Sequence, residues 1–269
     1  MRIGWIGLGA IGTNMVRRAR GAGHEVIAFA RGEGLEAALA MGATASNDYR
    51  AVASGCDILA LCLFSDAQVR SALFDEGTLA AMESGSVVVI HTTGSPALAR
   101  EIGERAPEGV AVVDATFSGS PDTVLAGDLT VMIGGHQEAV ERARPLIASY
   151  AKTIHHVGPL GNGQMAKLLN NLLFATNLRH AAALLGMAEA QGFPAADMVP
   201  ILKGCSGDSF ALGLFAQGGP GEMLRRSWPF VSKDVATVAA GAAEAGLDLA
   251  IFQPVMEFFA NGPIVPPRQ

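Results

Sequence analysis

The amino-acid sequence predicts a doubly wound α/β domain followed by an all-α domain. In the first half of the 269-residue chain, short apolar runs alternate with helical patterns, which is typical of βαβ units. Most of these runs are apolar throughout, as expected of parallel strands that helices cover on both faces. After the turn HHVGPLGNG, at 155–163, only helical patterns remain. We therefore predict an α/β domain over residues 1–160 and an all-α domain over residues 161–269.

The strands of the first domain are predicted from its short apolar runs. They are Arg2–Ile6, Glu25–Phe29, Ile58–Leu63, Val87–His91, Val110–Asp114, Thr130–Ile133 and Thr153–His156. Helices are predicted between them, for example over Ile11–Arg20, Pro96–Arg105 and Gln137–Tyr150. Strict alternation of strand and helix favours a parallel sheet.

The second domain is predicted to begin with a long helix over Gln164–Gln191, apolar on nearly every face and therefore buried. Beyond it we expect helices interrupted at GCSGDS, QGGPGEM and SWPF, then an extended, Pro-rich tail, GPIVPPRQ. One small domain cannot bury so apolar a helix completely. We therefore expect a homodimer, or a dimer of dimers, formed through it.

Composition excludes several other classes of protein. The 19 Lys and Arg against 25 Asp and Glu give a net charge of −6, which offers no basic surface for nucleic acid. The longest apolar stretch is interrupted by Asn170, Asn171, Asn177, Arg179 and His180, so it falls short of the roughly 20 residues of a membrane span. The three cysteines have neither metal-ligand nor CxxC spacing. No metal site or disulfide framework is predicted, and we expect a cytoplasmic protein.

The first predicted strand leads directly into a glycine-rich turn, GLGAIG, which is followed by a helix and a second strand. In this GxGxxG pattern the first glycine allows a tight turn, the second lets the backbone approach a pyrophosphate, and the third lets helix and strand pack closely. Its place between a strand and a helix favours a Rossmann-type dinucleotide site over a Gly-rich turn without a ligand. The predicted cofactor-binding residues of this turn are Gly7, Leu8, Gly9, Ala10, Ile11 and Gly12.

The residue after the second strand predicts which dinucleotide binds. An acidic residue at this place would bind the ribose hydroxyls of NAD, but the chain has Arg31. An arginine can pair with the 2′-phosphate of NADP, so NADP is favoured over NAD. Two alternatives stay open: the nearby Glu33 is a displaced ribose acceptor, or Arg31 is a solvated loop charge.

Three later segments, taken with the glycine-rich turn, resemble the β-hydroxyacid dehydrogenase family, which includes 3-hydroxyisobutyrate dehydrogenase. The segments are DATFSGSPDTVLAGDLTVMIGG from Asp114, GNGQMAKLLNN from Gly161 and KDVATVA from Lys233. Together the four motifs follow the family's order and cover nearly the whole chain. Four motifs in this order are far more specific than one.

The segment from Asp114 is similar to the family's substrate-binding stretch, DAPVSGG. It has Thr116 and Phe117 in place of Pro-Val, and a serine as the last of the small residues. By itself a Ser-Gly turn can hold a carboxylate through its hydroxyl and N–H groups, but an ordinary β-turn explains it as well. The substrate-binding residues that the resemblance implies are Ser118, Gly119, Ser120 and Asn170.

The segment from Gly161 matches the family's GxGxxxKxxNN pattern, and the resemblance implies that Lys167 and Asn171 are catalytic, with Asn171 orienting the lysine or the substrate hydroxyl. Spacing alone favours a lysine that extends to solvent or caps the sheet. Lys233 and Asp234 are similar to the family's KD pair near the cofactor, although a surface ion pair is the plainer interpretation. Further cofactor-binding residues expected at strand ends are Leu63, Phe64 and Thr93, the last in a Thr-Thr turn that resembles the family's turn beside the nicotinamide ribose.

The resemblance implies reversible, NADP-dependent oxidation of a small β-hydroxyacid to a semialdehyde or keto acid, with Lys167 as general acid and base. Two alternatives remain at this point. An imine reductase of the same fold usually lacks this lysine, but the altered Phe117 and Ser120 leave room for it. A non-catalytic, cofactor-binding scaffold protein is the other, although the retained lysine and asparagines weigh against it.

Overall fold

The computed structural model describes residues 1–217, 219–246 and 248–262. These residues form two compact units, one over Met1–Lys167 and one from Leu168 onward. The Pro-rich tail predicted to be extended lies, from residue 263, outside the described residues. Within the described part of the chain, no helix is both long and apolar enough to cross a membrane.

The first unit is an α/β domain. Its strands are β1 (Arg2–Ile6), β2 (Glu25–Phe29), β3 (Thr44–Ser46), β4 (Ile58–Leu61), β5 (Val87–Ile90), β6 (Ala111–Ser118), β7 (Leu129–Gly134) and β8 (Ala151–His156). Its helices are α1 (Ala10–Gly21), α2 (Glu33–Ala40), α3 (Tyr49–Ala53), α4 (Asp66–Arg70), α5 (Pro96–Arg105), α6 (Pro121–Ala126) and α7 (Gln137–Ile147). The helix α8 (Asn162–Ala190) begins in this unit and continues into the second.

All eight strands belong to one sheet, in the order β3-β2-β1-β4-β5-β6-β7-β8. The strands from β1 to β6 are mutually parallel, and β1 lies between β2 and β4. The strand order therefore reverses at β1, which is where doubly wound sheets bind their ligands, at the carboxyl ends of the strands. The predicted fold class, a Rossmann-type sheet domain followed by helices, is confirmed.

The sheet is not wholly parallel, contrary to the expectation from its apolar strands. β6 and β7 pair antiparallel, with Asp114 opposite Gly134 and Ser118 opposite Thr130. Only residues 119–128 join these strands, and they include the short helix α6. A parallel crossover needs a dozen or more residues, so the chain returns along β6 in the opposite direction.

Two other differences from the prediction concern strand ends. β6 continues to Ser118, four residues beyond the predicted end, and carries the Ser-Gly turn at its tip. β3 was missed because Thr44–Ser46 is short and only partly buried, so it has no apolar run to reveal it. The core itself lies where the sequence predicts it, with the central strands β4 and β5 buried throughout.

The second unit is all-α, as predicted. After α8 it contains α9 (Ala195–Lys203), α10 (Phe210–Gly213), α11 (Pro220–Ala245) and α12 (Gln253–Ala260). Its core is formed by apolar residues of these helices and of the short 3-10 helix Leu214–Gln217, with Phe215 and Leu178 almost fully buried.

The predicted break at SWPF is wrong, because α11 runs through Pro229 without interruption. A proline inside a helix removes one hydrogen bond and costs about 3 kcal/mol. Leu224 lies before the proline and Val231 and Val235 after it, and all three pack into the same core. This shared packing favours one continuous helix over two shorter ones.

The single chain buries only one face of α8, whereas the apolar sequence predicts a helix that is buried in the dimer. Its apolar residues Leu169, Leu173, Leu184 and Met187 are exposed, Leu173 by 60% and Met187 by 72%. The opposite positions Leu178 and Leu185 are fully buried in the core of the second unit. The helix therefore has one apolar face inside this unit and an apolar stripe outside it.

Candidate active site

The glycine-rich turn after β1 has the geometry that a dinucleotide requires. Gly7 has a φ of +108°, and a side chain there would collide with the carbonyl oxygen of Cys62. A side chain at Gly12 would collide with the carbonyl oxygen of Gly7, so α1 starts in contact with the turn. At Gly9, by contrast, a Cβ would meet no atom within 4 Å. The turn is tight where the protein packs on itself and open where a pyrophosphate would approach.

The first turn of α1 also fits an anion. Its N-cap, Gly9, provides no side-chain hydrogen bond, and no acidic residue occupies the first turn. The N–H groups and the positive end of the helix dipole are therefore available to phosphate oxygens. These residues fit a nicotinamide dinucleotide, and they would hold its pyrophosphate.

A cluster of buried aromatic side chains contacts the glycine-rich turn. The indole N–H of Trp5 donates to the carbonyl oxygen of Gly7 at 3.0 Å, and the ring stacks on His91 at 5.9 Å. His91 Nδ1 lies 2.6 Å from the carbonyl oxygen of Ala115, so it carries the hydrogen, and Nε2 accepts from the Tyr150 hydroxyl at 2.9 Å. Burial lowers the pKa of His91 to about 4, which keeps it neutral. The glycine-rich turn is thus hydrogen-bonded to a buried cluster of uncharged side chains.

Arg31 lies just after the end of β2, where the ribose-binding residue is expected. Its guanidinium carbon is 4.8 Å from the ring centre of Phe29 and 5.7 Å from that of Tyr49, and these two rings stack 3.7 Å apart. The aromatic pair holds the exposed guanidinium at this edge by cation–π contact. Glu33, the alternative ribose acceptor, begins α2, but its side chain lies outside the described residues.

A hydrogen bond joins the segments that follow β4 and β5, because the backbone N–H of Leu63 donates to Thr92 Oγ1 at 2.8 Å. The N–H of Phe64 donates to Oε1 of Gln68, on α4, at 2.9 Å. Phe64 is half exposed, and Thr93 follows the buried Thr92. The structure therefore places the predicted cofactor residues of these strands at the same edge of the sheet as the glycine-rich turn.

The start of α8 is anchored to β6 by a buried carboxylate. Asp114 Oδ1 accepts from the N–H of Gly161 at 2.8 Å, and Oδ2 accepts from the N–H of Gln164 at 2.6 Å. Thr116 Oγ1 donates to the carbonyl oxygen of Gly163 at 2.7 Å. A side chain at Gly163 would collide with the backbone of Asp114, so only glycine lets the helix start this close to the strand. These contacts between β6 and α8 thus fix the first turn of the helix that carries Lys167.

Asp114 makes a pH-dependent contribution to stability. Burial raises the pKa of its carboxyl group from 3.8 to about 6, although the amides of Gly161 and Gln164 oppose this. Because the folded protein holds the proton more tightly than the unfolded chain, its free energy of unfolding falls as the pH rises from about 4 to about 6. We expect this fall to be absent in Asp114→Asn, so that the wild type loses about 1 kcal/mol more than the variant between about pH 5 and pH 7. Urea midpoints at both pH values measure it, and equal pH dependence of the two proteins would contradict the raised pKa.

The Ser-Gly turn at the tip of β6 is exposed. Ser118 and Gly119 both lie at the surface, and Gly119 has a φ of +146°. The Ser120 hydroxyl is already engaged within the protein, because it accepts from the N–H of Thr123 in a capping box that starts α6. Of the three predicted residues, the first two are therefore the better candidates for a carboxylate site.

The remaining predicted residues lie on α8 and α11. Lys167 is half-buried at the end of the first unit. In the second unit Asn170 Nδ2 donates to Asn171 Oδ1 at 3.0 Å, and Asn171 Nδ2 donates to Asp234 Oδ2 at 2.6 Å. Lys233 Nζ lies 3.2 Å from Asp234 Oδ1. The two asparagines and the Lys-Asp pair are therefore one connected polar cluster rather than separate surface groups.

The sequence interpretation missed the roles of Asp114, Gln164 and Tyr49. Asp114 interrupts an otherwise apolar strand, AVVDAT, and a buried carboxylate must find donors, which was a usable signal. Gln164 stands inside the GxGxxxK motif, but nothing in its spacing distinguishes it from a solvated glutamine. Tyr49 is 18 residues beyond Arg31 in the chain, so no local pattern joins them.

Comparison with known proteins finds dehydrogenases that are similar to nearly the whole chain. Residues 2–158 match the NAD binding domain of 6-phosphogluconate dehydrogenase, and residues 161–263 match the NAD-binding domain of NADP-dependent 3-hydroxyisobutyrate dehydrogenase. The chain is 35% identical over 217 residues to the NAD-dependent L-serine dehydrogenase of Pseudomonas aeruginosa, covering 80% of this chain and 73% of that protein. It is 33% identical over 215 residues to the 2-(hydroxymethyl)glutarate dehydrogenase of Eubacterium barkeri, covering 79% and 71%.

Among solved structures, the 3-hydroxyisobutyrate dehydrogenase of Mycobacterium tuberculosis with L-serine is similar over 97% of this chain and 92% of that one. The TM-score is 0.85 and the sequence identity 26%. The matched regions include the glycine-rich turn and the helix that carries Lys167. The chain therefore belongs to the β-hydroxyacid dehydrogenase family and is an NAD(P)-dependent dehydrogenase.

Proposed function

We propose that the protein catalyses the reversible, NADP-dependent oxidation of a small β-hydroxyacid to the semialdehyde or keto acid. The observation that carries this proposal is the anchoring of α8. The first turn of this helix is hydrogen-bonded to the carboxyl-end region of β5 and to β6, at the edge of the sheet that carries the glycine-rich turn, and Lys167 follows directly. A lysine on a helix that is anchored at this edge of the sheet supports a role in proton transfer.

Each predicted site residue has its own role in the proposed reaction. The nicotinamide cofactor, when bound, supplies or takes up the hydride. Lys167 Nζ donates a proton to the substrate oxygen in the reduction and removes the hydroxyl proton in the oxidation. Asn171, whose side-chain amide donates to Asp234, orients Lys167 or the substrate hydroxyl. Ser118 Oγ and the Gly119 N–H bind the substrate carboxylate and so orient its reacting carbon.

The cofactor preference follows from Arg31. Its guanidinium, seated on the rings of Phe29 and Tyr49, can pair with a 2′-phosphate, whereas the L-serine dehydrogenase relative is named as NAD-dependent. We expect kcat/KM to favour NADPH over NADH, and Arg31→Asp to move this ratio toward NADH by roughly 10- to 150-fold, the effect of a charge-assisted contact.

Steady-state kinetics with both cofactors measure this ratio. Arg105→Asp is the matched control, because Arg105 also lies over an aromatic ring, 3.5 Å from the centre of Phe74. Equal use of both cofactors by the wild type would show that Arg31 does not select NADP.

A substrate panel tests the reaction itself. The first substrates to assay are L-serine, 3-hydroxyisobutyrate and 2-(hydroxymethyl)glutarate, because relatives of the chain are named for them. Reduction of NADP is the readout for each. Semialdehydes, keto acids and cyclic imines follow, with NADPH depletion as the readout. Turnover of the acids supports the proposal, turnover of imines alone favours an imine reductase, and cofactor binding without turnover favours a scaffold protein.

We also propose that the protein is a homodimer, or a dimer of dimers, formed through α8. The exposed stripe of Leu169, Leu173, Leu184 and Met187 supports this, because a helix rarely presents so many large apolar side chains to water. Sedimentation equilibrium measures the mass in solution against the 27.7 kDa of one chain.

A further inference from the structure

The side chain of Gln164 makes a two-point contact with the turn after β5. Its Oε1 accepts from the backbone N–H of Gly94 at 2.8 Å, and its Nε2 donates to the carbonyl oxygen of Thr92 at 2.8 Å. The side chain is almost fully buried, with 2% of the residue's surface exposed. An amide offers one acceptor and one pair of donors in a single plane, so it matches these two backbone groups.

The turn that Gln164 holds belongs to the predicted cofactor site. Thr92 Oγ1 also accepts from the N–H of Leu63, so the turn is tied to the end of β4 as well. Thr93 lies between the two backbone groups that Gln164 contacts. Any shift of Gln164 therefore shifts the segment that includes Thr93.

The backbone of Gln164 is fixed from the opposite side. Its N–H donates to Asp114 Oδ2, and the neighbouring Gly163 carbonyl accepts from Thr116 Oγ1. Gln164 is thus held by β6 through its backbone and by the turn after β5 through its side chain. Lys167 is three residues further on the same helix, about 4.5 Å along its axis.

We propose that Gln164 is a positioning residue that sets the distance between Lys167 and the turn containing Thr93. This inference rests on the proposed function, in which Lys167 transfers the proton, and on the resemblance of the turn with Thr93 to the family's turn beside the nicotinamide ribose. Proton and hydride transfer both require reacting atoms within a few tenths of an ångström of their places, and a displacement of about 1 Å can lower a rate by 10²-fold. A rigid amide that is bonded to the turn and belongs to the helix keeps the distance between them constant.

Gln164→Met tests the bridge, because methionine has nearly the same length but neither bonds Gly94 nor donates to Thr92. We expect the Gly94 amide of the cofactor-free protein to exchange its hydrogen at least about 10-fold faster, as its acceptor is lost. We expect kcat per NADPH-binding site to fall by about 10- to 50-fold, with KM for NADPH changed by less than about 3-fold. Hydrogen exchange followed by NMR and steady-state kinetics measure these effects.

Thr78→Val is the matched control, since Thr78 also makes a buried hydrogen bond, to the Ala72 carbonyl, away from this edge of the sheet. It should lower the melting temperature but leave Gly94 exchange and kcat unchanged. Faster exchange of Gly94 in Gln164→Met with unchanged kcat would overturn the inference, because the bridge would then be structural only. An unchanged exchange rate would overturn it as well.

Gln164→Glu gives an independent test, which decides the matter should the methionine variant fail to fold. The protonated carboxyl group reproduces the amide pattern, whereas the ionised group places an oxygen against the Thr92 carbonyl. Burial and the carboxylates of Asp114 and Asp66 favour the neutral form, and Lys167 one turn away opposes it. We expect kcat relative to wild type to recover as the pH falls from about 8 to about 6, and a deficit independent of pH would overturn the inference.

Lys167→Ala, assayed alongside, separates failure of the bridge from failure of the proposed function. If Lys167→Ala keeps the wild-type kcat, the proposed function is wrong. If Lys167→Ala is inactive while both Gln164 variants keep full activity, only the bridge is wrong.

Discussion

Lys167→Ala is expected to lower kcat by about 10² to 10⁴, the usual contribution of a general acid or base. The substitution removes the proton donor of the reduction and the acceptor of the oxidation. Binding of NADPH should barely change, because the glycine-rich turn after β1, which we propose binds the pyrophosphate, is unaltered. Initial rates, together with an NADPH titration followed by fluorescence, separate the two quantities.

Lys167→Arg distinguishes proton transfer from simple charge. The guanidinium keeps the positive charge but does not release a proton near neutral pH, so this variant should fail almost as badly as the alanine variant. Lys152→Ala is the control, because that lysine is 74% exposed in an ion pair with Asp128. A structural lysine would give the opposite pattern, with a lower melting temperature for alanine and near-wild-type kcat for arginine.

Esterifying the substrate carboxylate is expected to lower kcat/KM by about 10² or more. If Ser118 and the Gly119 N–H bind the carboxylate, the ester leaves positioned donors without a charged acceptor, and such a mismatch is expensive in a site built for hydrogen bonds. The ratio of kcat/KM for the acid to that for its methyl ester measures the effect.

Two serine variants make this comparison specific. Ser118→Ala should lower the acid-to-ester ratio, because it weakens only the interaction with the charged group. Ser120→Ala should leave the ratio unchanged while lowering stability, since the Ser120 hydroxyl caps α6. An ester as good as the acid would remove the carboxylate assignment and favour the imine reductase alternative.

Much of the first unit could be predicted from sequence because local pattern and tertiary environment agree there. Gly7 and Gly12 show the tight turn and the close packing that the pattern predicts, and a Cβ at Gly9 would meet no atom within 4 Å. Apolar strands such as Val87–Ile90 are buried on both faces, so their composition alone identified them.

The errors occurred where tertiary packing overrides local preference. Pro229 favours a break, but the residues on either side of it pack into one core and keep α11 continuous. The antiparallel pairing of β7 depends on the length of a connection, not on the composition of the strand. Likewise, apolar content does not say which face of α8 the single chain covers.

The candidate site was predicted less completely, since its supporting contacts join residues distant in the chain. Asp114 and Gln164 are 50 residues apart, and Thr92 and Gln164 are 72 apart. The motif implied which lysine is catalytic, but only the fold reveals the groups that orient its helix.

The buried aromatic cluster that contacts the glycine-rich turn makes the turn accessible to fluorescence measurements. Only two tryptophans occur in the chain, and Trp5 is fully buried with its indole N–H bonded to the Gly7 carbonyl. Its neighbour His91 is neutral, so no imidazolium at that position quenches its emission at physiological pH. With Trp228 replaced by phenylalanine, Trp5 becomes a single intrinsic fluorophore attached to the turn itself. The protein therefore carries its own reporter of how that turn responds when a dinucleotide arrives.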